Sequence, residues 1–208
     1  MEYACTEDGL RNGFGDTVLL EPDLVFPLLK GSDVANGRLT AQRRVLVPQR
    51  FLGQSTSLLA HQFPQAFSYL MSHEQTLRAR KSSIYKHQPP FSVFGVGDYT
   101  FAPWKVAICG LYKRLAFQLV GPQADKPVVF DDTCYFLPFD DEASARAMFA
   151  VYTSPEAQRY FQSRIFWDSK RPISKSILQS LDPYTLAPEC ADATKATRKA
   201  QLSLGLGE

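Results

Sequence analysis

The sequence predicts an α+β fold, a mainly antiparallel β-sheet with several flanking helices, and three observations predict it. Between Lys105 and Leu137, short apolar runs are separated by turn residues about every 8 to 12 positions, the rhythm of antiparallel strands. Phe63, Phe67, Leu70 and Leu77 recur at helical spacing around Pro64, a residue suited to a first helical turn. Ser154-Pro155-Glu156 sets an N-cap before a first-turn proline and acid, the opening of a second helix.

Taken in order, residues 1–17 carry three glycines, scattered charge and no periodicity. They read as a leader, or as the remnant of a connection to something upstream. Val18-Leu19-Leu20 and Leu24-Val25-Phe26 read as short extended pieces, interrupted by Pro22 and ended by Pro27. Gly31-Ser32-Asp33 and Asn36-Gly37 are turn chemistry. Val45-Leu46-Val47 reads as a strand, set among four arginines between Arg38 and Arg50 with no acid. Such arginines are either solvated or phosphate-facing. A helix follows over residues 64–80, and its basic last turn (Arg78, Arg80, Lys81) complements the helix dipole. Strands are expected over 105–109, 116–120, 127–130 and 134–137, punctuated by Gly110, Gly121-Pro122 and Pro138. Helices are expected over 142–152, 155–163 and 175–181, and 186–208 reads as a loosely held tail without an apolar face. The principal domain is thus 18–185.

At 208 residues the chain is long enough for one good core. A 45% hydrophobic and 21% charged composition excludes a disordered or fibrous chain. The net charge of +2 says little about partners, so the distribution of charge has to carry that argument. Cys5, Cys109, Cys134 and Cys190 form no CxxC pair, and His61, His73 and His87 lack metal-ligand spacing. Reduced thiols and no zinc site are expected. There is no signal-peptide pattern and no apolar run of the ~20 residues that spans a bilayer, so a cytoplasmic protein without membrane contact is expected.

The stretch from Arg80 to Lys105 interleaves cations, hydroxyls, aromatics and glycines, and from Arg78 to Arg114 seven Lys or Arg face one acid, Asp98. Such side chains grip phosphates and stack on bases. The expected nucleic-acid contacts are Arg80, Lys81, Lys105, Lys170 and Arg171 on phosphates, with Ser82, Ser83 and Tyr85 adding hydrogen bonds and Tyr85 and Tyr99 meeting a base or sugar. Phe101 and Trp104 read as core.

Two short patterns resemble those of adenine-specific methyltransferases: Gln88-Pro89-Pro90-Phe91, like their catalytic loop, and Phe94-Gly95-Val96-Gly97, like their S-adenosylmethionine turn. In that family the two belong to different strands of a parallel sheet, whereas here they lie two residues apart in reversed order. Neither a catalytic nor a cofactor site is expected from them. Asp168-Ser169-Lys170 is half of a nuclease-type pattern, which with Asp140 or Asp141 would make a metal-dependent nuclease the alternative function. Asp131-Asp132 reads as a solvated edge and Asp140-Asp141-Glu142 as a helix N-terminus.

The run Phe26-Pro27-Leu28-Leu29-Lys30-Gly31-Ser32-Asp33-Val34 resembles the segment joining catalytic and recognition domains in TaqI-like adenine-specific DNA methyltransferases of restriction-modification systems. Residues 77–85 and 90–105, Asp131 to Pro138 and Lys170-Arg171-Pro172-Ile173 are similar to the C-terminal half of that group. The resemblance covers about residues 17–181 and implies a target recognition domain that binds double-stranded DNA selectively. It implies no enzyme in this chain alone, since the true cofactor turn and catalytic loop would lie on a missing or separate catalytic domain that binds S-adenosylmethionine. A methyltransferase catalytic subunit is the implied protein partner. A protein-interaction subunit is the remaining alternative.

Overall fold

The computed structural model describes residues 1–186. In chain order its strands are β1 (Glu2–Thr6), β2 (Gly9–Arg11), β3 (Thr17–Val18), β4 (Val25–Leu29), β5 (Arg43–Leu46), β6 (Trp104–Cys109), β7 (Gln118–Val120), β8 (Val129–Phe130) and β9 (Cys134–Phe139). The helices are α1 (Gly31–Ala35), α2 (Leu59–Gln62), α3 (Pro64–Ser72), α4 (Glu74–Arg78), α5 (Glu142–Thr153), α6 (Pro155–Gln162), α7 (Lys175–Gln179) and α8 (Pro183–Leu186). The expected α+β class is observed. A six-stranded sheet runs β3-β2-β1-β5-β4-β8 and a three-stranded antiparallel sheet runs β7-β6-β9. Only β4 with β8 is parallel.

Residues 1–17 differ from the leader expected of them. They form a β1–β2 hairpin, and β1 continues the sheet by pairing with β5 through Glu2↔Val45 and Tyr3↔Arg44. Tyr3, 1% exposed, is one of the largest buried side chains. The strands are too short for their alternation to show in sequence, and their stability comes from β5 rather than from the segment itself.

Pro27 does not end its strand; it pairs opposite Arg44 inside β4. Val47 N–H donates to Leu24 O on the β5 side, whereas Lys126 Nζ reaches Val25 O on the other. Backbone groups at i and i+2 share a side, so the nitrogen of Pro27 faces away from β5. The short β8 there pairs only with Leu28 and Leu29, and the missing N–H removes no ladder bond.

The helix expected over 64–80 is broken at His73 into α3 and α4. The His73 ring stacks on Phe14 at 5.4 Å and meets the edge of Tyr69 at 4.6 Å. The Phe14 stack is a tertiary contact, and it overrides local helical propensity. The later elements follow expectation in type, but Pro138, expected to end its strand, pairs opposite Lys105 inside β9, and the helix expected over 175–181 ends at Gln179. Asp141 caps α5 by accepting from Ser144 N–H at 2.8 Å, and Ser154 caps α6 by accepting from Ala157 N–H at 3.2 Å.

One core lies between the three-stranded sheet and α5 and α6 (Val106, Met148, Phe161, Ile173), and another between the large sheet and α3 (Tyr3, Leu46, Leu70, Phe91). Leu29, Val34, Ala107, Val128 and Cys134 join the two sheets. At this seam the expectation of a solvated Asp131 is corrected. Its carboxylate accepts the Gly31 N–H at 3.2 Å and the Thr133 hydroxyl at 2.5 Å. A Cβ on Gly31 would strike Thr133 Oγ1 and lie 2.6 Å from Cys109 Sγ. Only glycine allows so close an approach. The Gly31 and Asp131 segments, 100 residues apart, are thus locked together.

Candidate nucleic-acid interface

After α4 the chain turns sharply, and Arg80 holds the turn. Its Nε donates to Leu77 O at 2.7 Å, its Nη1 to Ser92 O at 2.8 Å, and its guanidinium lies 3.7 Å from the Tyr85 ring centroid. A short 3-10 turn, Ser83–Tyr85, leads into the loop Gln88-Pro89-Pro90-Phe91. Phe91 adopts a left-handed backbone (φ 67°) yet is buried, its ring 6.3 Å from Phe67 in an edge contact. For a bulky residue that conformation is strained by about 1–3 kcal/mol and needs anchoring. The anchors are Ser92 Oγ donating to Pro89 O (2.6 Å) and Thr56 Oγ1 donating to Pro90 O (2.7 Å). The aromatic residue of this proline loop therefore points into the core.

Between the turn and the loop lies an open cleft of about 340 Å³, lined among others by Arg78, Arg80, Lys81, Ser82, Tyr85 and Lys86. Its one acid, Glu74, is paired with Arg78 at 2.6 Å. Lys81 and Lys86 pair with no acid among the described residues. The surrounding chain reinforces the charge: residues 34–97 contain eight Lys or Arg and a single acid. Part of that excess is spent elsewhere. Arg38 and Arg43 pair with Asp33 at 3.1 and 3.2 Å, and Arg43 also with Glu2, so these two brace the sheet rather than wait for phosphate. Arg50 remains exposed with its guanidinium 4.3 Å from the Phe101 ring centroid.

Of the expected contacts, Arg80, Lys81, Ser82 and Tyr85 come together in this cleft. Ser83 is exposed on the adjoining turn. Tyr99 is half-buried, its ring over Gly97 and 5.9 Å from Phe136, and burial raises its pKa. Lys105 is withdrawn from the surface altogether. It is 1% exposed, and its Nζ donates to Ala102 O at 2.6 Å and Val128 O at 2.9 Å. Its place in β6 turns it inward, and desolvation pulls its pKa down to about 7. Lys170 and Arg171 are exposed on a loop held to the other sheet, where Ile173 N–H donates to Gly110 O. Cleft residues not anticipated from the sequence are Arg78, assigned only to the helix dipole, and Lys86. The signal available was the long acid-free stretch around them.

Gly95-Val96-Gly97 leaves no strand. Val96 is buried in the core, the Tyr99 ring covers Gly97, and a 3-10 turn follows, so these residues do not fit a cofactor turn. Two of the acids named for the nuclease alternative are engaged elsewhere. Exposed Asp168 pairs with Lys113 at 3.5 Å, Asp141 is engaged in capping α5, and among the described residues no three His, Cys, Asp or Glu cluster to hold a metal. No described helix is long and apolar enough to cross a membrane.

No family model matches the chain. It is 47% identical over 188 residues to the Type II methyltransferase M.NspV of Nostoc sp.. The match takes in 90% of this chain and 39% of that relative, so the chain is homologous to a portion of a Type II methyltransferase and spans well under half its length.

Proposed function

We propose that the chain binds double-stranded DNA selectively, as the target recognition part of an adenine-specific DNA methyltransferase of a restriction-modification system. The observation that carries this reading is the cleft in which Arg80, Lys81 and Lys86 converge with Ser82 and Tyr85, its one acid, Glu74, being paired with Arg78. Kinship with part of a Type II methyltransferase supports it, because such an enzyme must hold a duplex. Cleft cations would engage phosphates and set the register, while base edges would be read by neighbouring side chains. Methyl transfer and S-adenosylmethionine binding fall to residues outside this chain, on a linked or separate catalytic partner. In such an assembly this part holds the duplex while the target adenine leaves the stack.

Selection of the chain on random duplexes, followed by fluorescence anisotropy, tests the reading. One enriched sequence, bound with a steep loss of affinity as salt rises, is expected. Equal and salt-insensitive binding to all duplexes, or none at low salt, would reject it.

A further inference from the structure

We infer that residues 50–54, at the rim of the cationic cleft, form an insertion wedge: Phe51 and Leu52 enter the base stack of the bound duplex and open one base step. This rests on the duplex-binding reading above. Phe51 and Leu52 are 56% and 46% exposed, adjacent large apolar side chains held out in water. Their loop is fixed. Gln49, buried, donates from Nε2 to Phe51 O at 2.9 Å and accepts the Val93 N–H on Oε1 at 2.7 Å. Arg50 N–H donates to Gln54 Oε1 at 2.5 Å, and Thr56 is bonded to Pro90 O. The loop is thereby riveted to the proline loop that walls the cleft. Gly53, at φ 82°, takes the turn at the tip, and a Cβ there would lie 3.9 Å from Oε1 of the cleft-lining Gln88.

Charge decides which apolar medium suits this tip. No acid occurs from residue 34 to residue 73, Arg50 stands exposed at the base of the loop, and Lys81 and Lys86 line the cleft beside it. A polyanion seated there meets a positive excess, since the one acid of the cleft, Glu74, is paired with Arg78, and its own apolar interior is the stack of bases. Phenylalanine and leucine wedges that partly unstack a step are a recurrent way for proteins to kink a duplex. A pre-anchored loop spends little entropy in presenting them.

The test uses the enriched duplex with 2-aminopurine moved through it one position at a time. The chain is expected to raise fluorescence at one step. The Phe51→Ala, Leu52→Ala double variant, altered only at exposed positions, is expected to keep its melting temperature, lose that rise, and bind the paired duplex about tenfold more weakly. Against a duplex carrying a mismatch at that step, its affinity should approach that of the unchanged chain, whereas Lys81→Ala should weaken both duplexes alike. A double variant that matches the unchanged chain in fluorescence and affinity would overturn the wedge. So would one that differs only in binding another protein or a second copy of itself. If the unchanged chain binds no duplex, the underlying reading fails instead, and the Lys81→Ala arm distinguishes that case because it too shows no binding to lose.

Discussion

The Arg80 guanidinium lies 3.7 Å from the ring centroid of Tyr85 and is bonded at the same time to the Leu77 and Ser92 carbonyls. A residue so engaged builds the cleft as well as charging it. Lys81, exposed and without a described ion pair, only charges it. The two neighbours should therefore separate by measurement. Arg80→Ala is expected to lower unfolding free energy by about 2–3 kcal/mol, since it removes two charge-assisted bonds and takes the Arg80 donor from the carbonyl of buried Ser92. It should also weaken duplex binding. Lys81→Ala is expected to leave urea denaturation unchanged within about 0.5 kcal/mol and lower affinity alone.

Salt dependence counts the phosphates. If Arg80, Lys81 and Lys86, the cleft cations that pair with no acid among the described residues, each neutralise one, log K against log salt should fall with a slope of about −2.7, and Lys81→Ala should make it shallower by about 0.9. Anisotropy at four salt concentrations gives both slopes. An unchanged slope in the variant would place the phosphates elsewhere.

Lys105 makes stability depend on pH in a defined direction. Its pKa is lowered by desolvation from an ordinary 10.5 to about 7. Between those values the unfolded chain holds a proton that the folded chain has released. Stability should therefore rise as pH climbs through 7, by up to about 1.4 kcal/mol per unit from this group. Burial raises the Cys134 thiol, which has the opposite sign and takes effect above its ordinary value of 9.0. The window for Lys105 is thus about pH 7–9. Urea midpoints are expected to rise across it for the unchanged chain, and the rise should be reduced in Lys105→Met, the remainder including the Met1 amine, whose pKa burial also lowers.

Gly31→Ala tests the seam between the sheets. The new methyl meets Thr133 Oγ1 and Cys109 Sγ, and Thr133 cannot swing away without breaking its bond to Asp131. A loss of about 1–3 kcal/mol is expected, partly restored by Thr133→Ala, with a measurable drop in melting temperature as the readout.

Much of the later half of the fold was legible because its signals are local. Ser154 and Asp141 announce helix starts through their own side chains, and the strands β6 and β7 carry Gly110 and Gly121-Pro122 beside them. The first half hid its structure in partnerships. Residues 1–17 become strands through β5, and His73 breaks a helix where its ring stacks on Phe14. The candidate site divides in the same way. Arg80, Lys81, Ser82 and Tyr85 are close in sequence and share one cleft, whereas Lys105, with the same formal charge as Arg80 and Lys81, is removed from it.

Composition and spacing were enough to establish an α+β class and a basic stretch around residues 78–86, since periodicity, capping chemistry and charge excess are properties of neighbouring residues. Which cations remain available to a polyanion is a different matter. Arg38 and Arg43 are paired with Asp33, Lys105 is enclosed between two carbonyls, and Lys81 and Lys86 are left at an open cleft. Those outcomes depend on burial and on partners brought from distant parts of the chain, and long-range packing alone supplies them.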